Sequence, residues 1–137
     1  CRKTDLIYYD IKLLDSELHR KFTGMSNDVI LRNLRRLSEN REAVGEIVVR
    51  IPCIPGINDH KEQIEQTARF VSELKLSFLE LLPYNEAAGA KYMWLFQDYS
   101  LQKLHTRKKE YYEELQKYVS QFGLLPYGLG HGRRKEK

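Results

Sequence analysis

The chain is short of cysteine and proline and has no long apolar run, and each shortage removes a class of protein. Its two cysteines, Cys1 and Cys53, cannot supply the three or four thiolates of an iron–sulfur cluster. They could pair with each other, but nothing else in the chain has a secretory character, so reduced thiols are expected. No apolar stretch approaches the ~20 residues that cross a bilayer, and no charged start followed by an apolar segment resembles a signal peptide. The expected location is the cytoplasm, with no membrane partner. No repeat at solenoid period is visible. With 137 residues, 42% hydrophobic and 31% charged, the chain has the size of one soluble domain with a modest core. It opens on Cys1 rather than methionine, and a strand pattern begins almost at once at Asp5. A piece of a longer protein is expected.

What is present is an alternation of strand and helix patterns. Leu6, Ile7, Tyr8, Tyr9 and Ile11 form a nearly continuous apolar run, the pattern of a strand covered on both faces. Leu13 to Gly24 reads as mixed and turn-like. Asn27 or Asp28 can cap a helix with an apolar stripe of Val29, Ile30, Leu31, Leu34 and Leu37, ending near Asn40. Ile47, Val48, Val49 and Ile51 make a β-branched strand, stopped by Pro52 and Pro55 and turned by Gly56. Asn58 or Asp59 then starts a helix to about Lys75, with Ile64, Thr67, Ala68, Val71 and Leu74 on one side. Phe78, Leu79, Leu81 and Leu82 form a third strand. A loop of roughly twenty residues follows, longer than usual and so functional or mobile. The last helix, about Thr106 to Phe122, turns Tyr111, Tyr112, Leu115, Tyr118, Val119 and Phe122 inward, carries a weak Glu113–Lys117 pair, and stops at Gly123. The order βαβαβ-loop-α predicts parallel strands with right-handed crossovers. The first strand would then present an unpaired edge, and we expect a second copy to cover it.

Each strand pattern ends in a polar signature, at the end where parallel α/β sheets bind ligands. Asp10-Ile-Lys12 closes the first. Asp10 and Lys12 share a face on an extended strand and could hold the two charges of a zwitterion; the plain alternative is an ion pair between them. Arg50 ends the second strand, where its fork could clamp a carboxylate or make a structural salt bridge. Cys53, in the Pro52–Gly56 turn, reads as a packed thiol rather than a redox group. Leu81-Leu-Pro-Tyr84-Asn85 closes the third, with Tyr84 open to a core role. Taken singly, none of these signatures singles out one chemistry.

In this order they do. Asp5-Leu-Ile-Tyr-Tyr-Asp-Ile-Lys12, His19 through Thr23-Gly24 to Asn27, Val49-Arg-Ile-Pro-Cys-Ile-Pro-Gly-Ile-Asn58, and Glu80-Leu-Leu-Pro-Tyr84 with Lys91 resemble the carboxyl-terminal half of the radical S-adenosylmethionine domain of glycyl-radical-enzyme activating enzymes, the pyruvate formate-lyase activase family. The resemblance covers about residues 5 to 122. It implies an α/β fold that is half of a partial (β/α)6 TIM-like barrel: three parallel strands, the family's fourth to sixth, with flanking helices. Residues 1–123 would form this half-barrel and 124–137 a flexible basic tail.

The resemblance also implies chemistry. The family holds a [4Fe–4S] cluster on a Cys-x3-Cys-x2-Cys loop, which is absent here. It cleaves S-adenosylmethionine by one electron, from a flavodoxin or ferredoxin-type donor, and the resulting 5′-deoxyadenosyl radical takes hydrogen from a glycine of a partner glycyl radical enzyme. Asp10 and Lys12 would meet the methionyl end of the cofactor, with Asp10 also at a bound monovalent cation, and Arg50 would lie near the cofactor carboxylate. Fixed opposite charges would align the carbon–sulfur bond before electron transfer. Asn85 is assigned to the same cofactor site, and it is a departure: pyruvate formate-lyase activases have histidine there, and an amide cannot carry charge. Lys91, Tyr92 and Trp94 fall where the partner's glycine loop would enter, with aromatics suited to anchoring a peptide; a capping or core role is the alternative. The fragment alone is expected to be inactive.

Two other readings differ in class. One is a degenerate or stand-alone half-barrel that binds without catalysis. The other is a small basic module for RNA or an acidic protein, suggested by the +4 net charge and by Arg133, Arg134, Lys135 and Lys137. That tail is more simply a solvated end, and the chain has no aromatic–basic platform or known nucleic-acid motif. No nucleic-acid partner is expected.

Overall fold

In a computed structural model, residues 4–40, 44–85 and 104–127 are described. They form β1 (Leu6–Asp10), α1 (Ser16–Thr23), α2 (Asp28–Glu39), β2 (Glu46–Pro52), α3 (Lys61–Glu73), β3 (Phe78–Leu82) and α4 (Lys109–Ser120). The strands lie in the order β1-β2-β3, all parallel. This is an open three-stranded α/β sheet with flanking helices, not a closed barrel.

Helices α2, α3 and α4 gather on one face. Ile7, Tyr9, Ile11, Ile47, Val49, Ile51, Leu79 and Leu81 pack there with Leu34 of α2, Ile64, Ala68 and Val71 of α3, and Tyr112, Leu115 and Val119 of α4. Such alternate strand residues necessarily share one side of the pleat. The other side carries Leu6, Tyr8 and Asp10, then Val48 and Arg50, then Phe78, Glu80 and Leu82, and is only partly covered. Tyr127 crosses it, meeting the rings of Tyr8 and Phe78 edge-on at 6.2 and 5.1 Å between centroids. Tyr8 remains 48% exposed, so the apolar run of β1 does not mark a strand covered on both faces, as its pattern predicts. Its second apolar side waits on packing that the described residues do not supply.

Several local expectations are corrected. The stretch expected to be turn-like contains helix α1, capped by Asp15 accepting from Leu18 N at 2.8 Å and ended by left-handed Gly24. Its only buried residue is His19, so it had no apolar stripe to announce it. Val29, placed in the α2 stripe, is 54% exposed. Neither Asn58 nor Asp59 starts α3; His60 does. Glu113 pairs with Lys109, at 3.1 Å, rather than with Lys117. Gly45 precedes β2 with φ at +74°, and a Cβ there would stand 2.5 Å from Asp5 O. Only glycine lets Glu46 N reach Asp5 O, at 2.9 Å, and open the β1–β2 ladder. Leu124 is fully buried and Leu125 bridges to β3 beside Phe78, so the first residues assigned to the tail belong to the packed unit. The rest of that tail, from 128, lies outside the described residues.

Candidate functional site

The site is built by strand register. Parallel pairing sets Asp10 opposite Arg50 and Arg50 opposite Glu80, one row near the carboxyl ends of all three strands. Within it Arg50 Nε donates to Asp10 Oδ1 at 2.7 Å, and the guanidinium lies over the Tyr8 ring, 4.8 Å from its centroid. Arg50 is thus held from two directions through its Nε edge and its face. Its terminal nitrogens make no hydrogen bond among the described residues, which leaves the fork able to receive a carboxylate. Both side chains are partly open, at 30% for Arg50 and 42% for Asp10, so a ligand can reach them.

The cation paired with Asp10 is therefore Arg50, forty residues away, and not Lys12. Lys12 lies past the end of β1 and makes no ion pair among the described residues. It and Asp10 line a cavity of about 420 Å³ with His19, Met25, Asn27 and Val29. His19 Nδ1 sits 2.7 Å from Met25 O. A carbonyl only accepts, so Nδ1 carries the proton there and Nε2 is left as an acceptor in the neutral ring.

The β2–α3 turn supports this end of the sheet. Asn58, 2% exposed, donates to Lys12 O at 2.7 Å and Pro52 O at 2.9 Å and accepts from Ile54 N at 2.6 Å. Asp59, fully buried, accepts from Gly56 N and from Arg107 Nε, each at 2.8 Å. That bond holds the Arg107 guanidinium above its ordinary range, and Tyr111 donates to Asp59 O. Sequence reading took Asn58 and Asp59 for a helix start. The available signal was a pair of short amide and carboxylate side chains just after Pro-Gly, the residues that satisfy turn backbone.

Cys53 is buried in the same turn, and burial, then the nearby Asp59 charge, push its thiol up to about 12. A group so raised is a packed thiol and not a thiolate ligand. Its folded value lies above the unfolded one, so its contribution to stability is full below pH 9.0 and is lost as pH rises toward about 12. Among the described residues no group of three His, Cys, Asp or Glu side chains could hold a metal ion. The described residues thus offer no ligand set for an iron–sulfur cluster. Asp10, Lys12 and Arg50 set charges of both signs at one end of the sheet.

Tyr84, half-buried, and Asn85, exposed, follow β3 and so stand at the same end of the sheet as Asp10 and Arg50. Lys91, Tyr92 and Trp94 lie outside the described residues. No helix of the described residues is long and apolar enough to cross a membrane.

The chain resembles known proteins in both sequence and fold. No protein-family profile matches it. It is 37% identical over 115 residues to the trans-4-hydroxy-L-proline dehydratase activating enzyme of Clostridioides difficile, covering 82% of this chain and 37% of that protein. It is 37% identical over 127 residues to the (2S)-3-sulfopropanediol dehydratase activating enzyme of Klebsiella oxytoca, covering 88% and 39%. Against the 4-hydroxyphenylacetate decarboxylase activating enzyme of Clostridioides difficile strain CD196 it is 34% identical, covering 93% and 40%. The crystal structure of a domain of pyruvate-formate lyase-activating enzyme from Bacteroides vulgatus superposes with a TM-score of 0.68 at 27% identity, covering 89% of this chain and 65% of that one. The chain thus spans about two fifths of the length of these curated relatives.

Proposed function

This chain is a homologue of the glycyl-radical-enzyme activating enzymes, matching 37% to 40% of their length, and on that premise we propose that it is the carboxyl-terminal half of such an activase, carrying the residues that orient S-adenosylmethionine. In the complete enzyme that cofactor, bound to a [4Fe–4S] cluster, supplies the radical chemistry that activates a glycyl radical enzyme. The part of this chain is to bind and orient. The observation that carries the reading is the Asp10–Arg50 row at the strand ends with Lys12 beside it. Arg50, held by Asp10 and Tyr8, offers its free nitrogens to the cofactor carboxylate, which the Lys12 ammonium also attracts, while Asp10 complements the cofactor's positive ammonium. Asn85 contributes a neutral hydrogen bond from the end of the third strand, and the stretch with Lys91, Tyr92 and Trp94 receives the partner's glycine loop. The partner enzyme, a flavodoxin or ferredoxin-type electron donor, and a cytoplasmic setting follow from the same premise. Without a cluster the chain by itself makes no radical.

The test is a titration of S-adenosylmethionine into the ¹⁵N-labelled chain. Shift changes should centre on residues 10–12 and 50, weakly, because the cluster anchor is missing. Changes elsewhere only, or none, would remove the assignment. An anaerobically reconstituted sample of this chain that released 5′-deoxyadenosine under reduction would overturn its inactivity. Coding sequence upstream of Cys1 with an in-frame Cys-x3-Cys-x2-Cys would support the fragment reading; unrelated sequence there would favour a stand-alone half-barrel that binds without catalysis.

A further inference from the structure

The segment that carries Lys12 is held in an unusual way. Lys12, Leu13 and Leu14 follow β1, and their carbonyls meet no backbone donor among the described residues. All three are taken by side-chain amides. Asn58 Nδ2 donates to Lys12 O at 2.7 Å. Asn27 Nδ2 donates to Leu13 O at 2.9 Å and Leu14 O at 2.8 Å. The two asparagines are 2% and 1% exposed and come from different places, the β2–α3 turn and the residue before α2. Asn58 uses both amide hydrogens and its oxygen, so it joins the ends of β1 and β2 to the turn. Asn27 also uses both hydrogens, while its Oδ1 is buried with no partner. Leaving an acceptor unsatisfied in the interior is costly, and the two donated bonds must offset it. Of the side chains of this size, only an asparagine presents two donors on one short planar group.

We propose that Asn27 and Asn58 are positioning residues: a two-amide clamp that fixes the Lys12–Leu14 segment and so sets where the Lys12 ammonium stands relative to Asp10 and Arg50. No ion pair holds Lys12 among the described residues, so the backbone is what places it. The clamp rests on the S-adenosylmethionine reading only for what Lys12 meets; its effect on the segment is independent of any ligand.

Asn58→Asp tests it with almost no change of shape. The carboxylate still accepts from Ile54 N but faces Lys12 O and Pro52 O with no donor. Burial and the facing carbonyls raise its pKa, and protonation restores one donor. In ¹⁵N-labelled protein, backbone mobility of Lys12–Leu14 should rise at neutral pH while β3 and the interior of β2, short of Pro52, stay as they are. S-adenosylmethionine affinity should fall about tenfold and recover as pH is lowered, a profile the unaltered chain lacks. A lower melting temperature with neither local mobility nor this pH profile would overturn the clamp. If Asn58→Asp does not fold, the side-chain amide protons of Asn27 and Asn58 in the unaltered chain decide. Clamped, they exchange at least about a hundredfold more slowly than free asparagine; at the free rate, there is no clamp. If the unaltered chain shows no ligand shifts, the proposed function fails for this chain, and the clamp is judged on mobility and amide exchange alone.

Discussion

The two edges of the sheet are finished differently. On β3 the outer edge is closed by side chain and following chain together: Gln116 Nε2 donates to Leu79 O at 2.9 Å, Gln116 Oε1 accepts from Leu81 N at 3.3 Å, Leu79 N donates to Leu125 O at 3.0 Å, and Leu125 N to Ser77 O at 3.0 Å. One amide on α4 and one extended residue after it stand in for a further strand. On β1, Ile11 N bonds to Arg50 O and Glu46 N to Asp5 O, so the odd residues face β2. By the alternation of a parallel ladder, the N–H and C=O of Leu6, Tyr8 and Asp10 then point outward. No hydrogen bond meets them among the described residues. Of the large exposed apolar side chains among the described residues, Tyr8, Phe22, Met25 and Val29 belong to β1 and the segments that follow it, while Leu125 lies at the β3 edge. Among the described residues, then, the β3 edge is closed and the β1 edge is left unpaired.

The strongest way to break this contrast is through packing. Leu79→Ala, at a position with no exposure, should cost about 3 kcal/mol, whereas Tyr8→Ala on the open side should cost about 1 kcal/mol; urea unfolding of both variants gives the comparison. Equal costs would mean that β1 is as well buried as β3. Gln116→Leu should cost about 2 kcal/mol by stripping the β3 edge of its amide. The signature is faster hydrogen exchange at Leu81 with no change in β1, and an unchanged Leu81 rate would refute the plug.

Self-association sharpens the other side. An open edge should make the chain dimerise as its concentration rises, and Leu6→Lys should reverse this by placing a charge on that edge. Light scattering that shows a monomer at every concentration would refute pairing through β1. The smallest effect concerns the pair spanning the site. Asp10→Asn removes a half-exposed ion pair and should change stability by less than about 1 kcal/mol. Its effect should fall instead on ligand shifts at Arg50, and a large loss of stability would make the pair structural.

Much of this was legible in local pattern. The β-branched run Ile47–Ile51 and the apolar Phe78–Leu82 announced their strands. Leu34, Ile64, Ala68, Val71, Leu115 and Val119 marked the faces that the helices bury. Asp10, Lys12, Arg50 and Asn85 stood at strand ends, and the structure brings them to one end of one sheet. The α1 helix escaped notice because it buries a single histidine and has no apolar period. Gln116 escaped because a polar helix residue is ordinarily solvated, and only the proximity of β3 turns it into an edge plug. Gly45 carries no local signal, because only the Asp5 O standing where its Cβ would be requires glycine there.

The sequence by itself determined the alternation of elements, the apolar faces, and which residue types stand at the strand ends, since these follow from periodicity, β-branching and turn chemistry within a few residues. Only the tertiary structure decided who meets whom. Asp10 found Arg50 and not Lys12, Asn58 found Lys12 O, and Gln116 found Leu79. Those partners lie 40, 46 and 37 residues apart. Their meeting depends on the register of parallel strands joined by crossovers, a long-range choice made when the whole sheet packs against its helices.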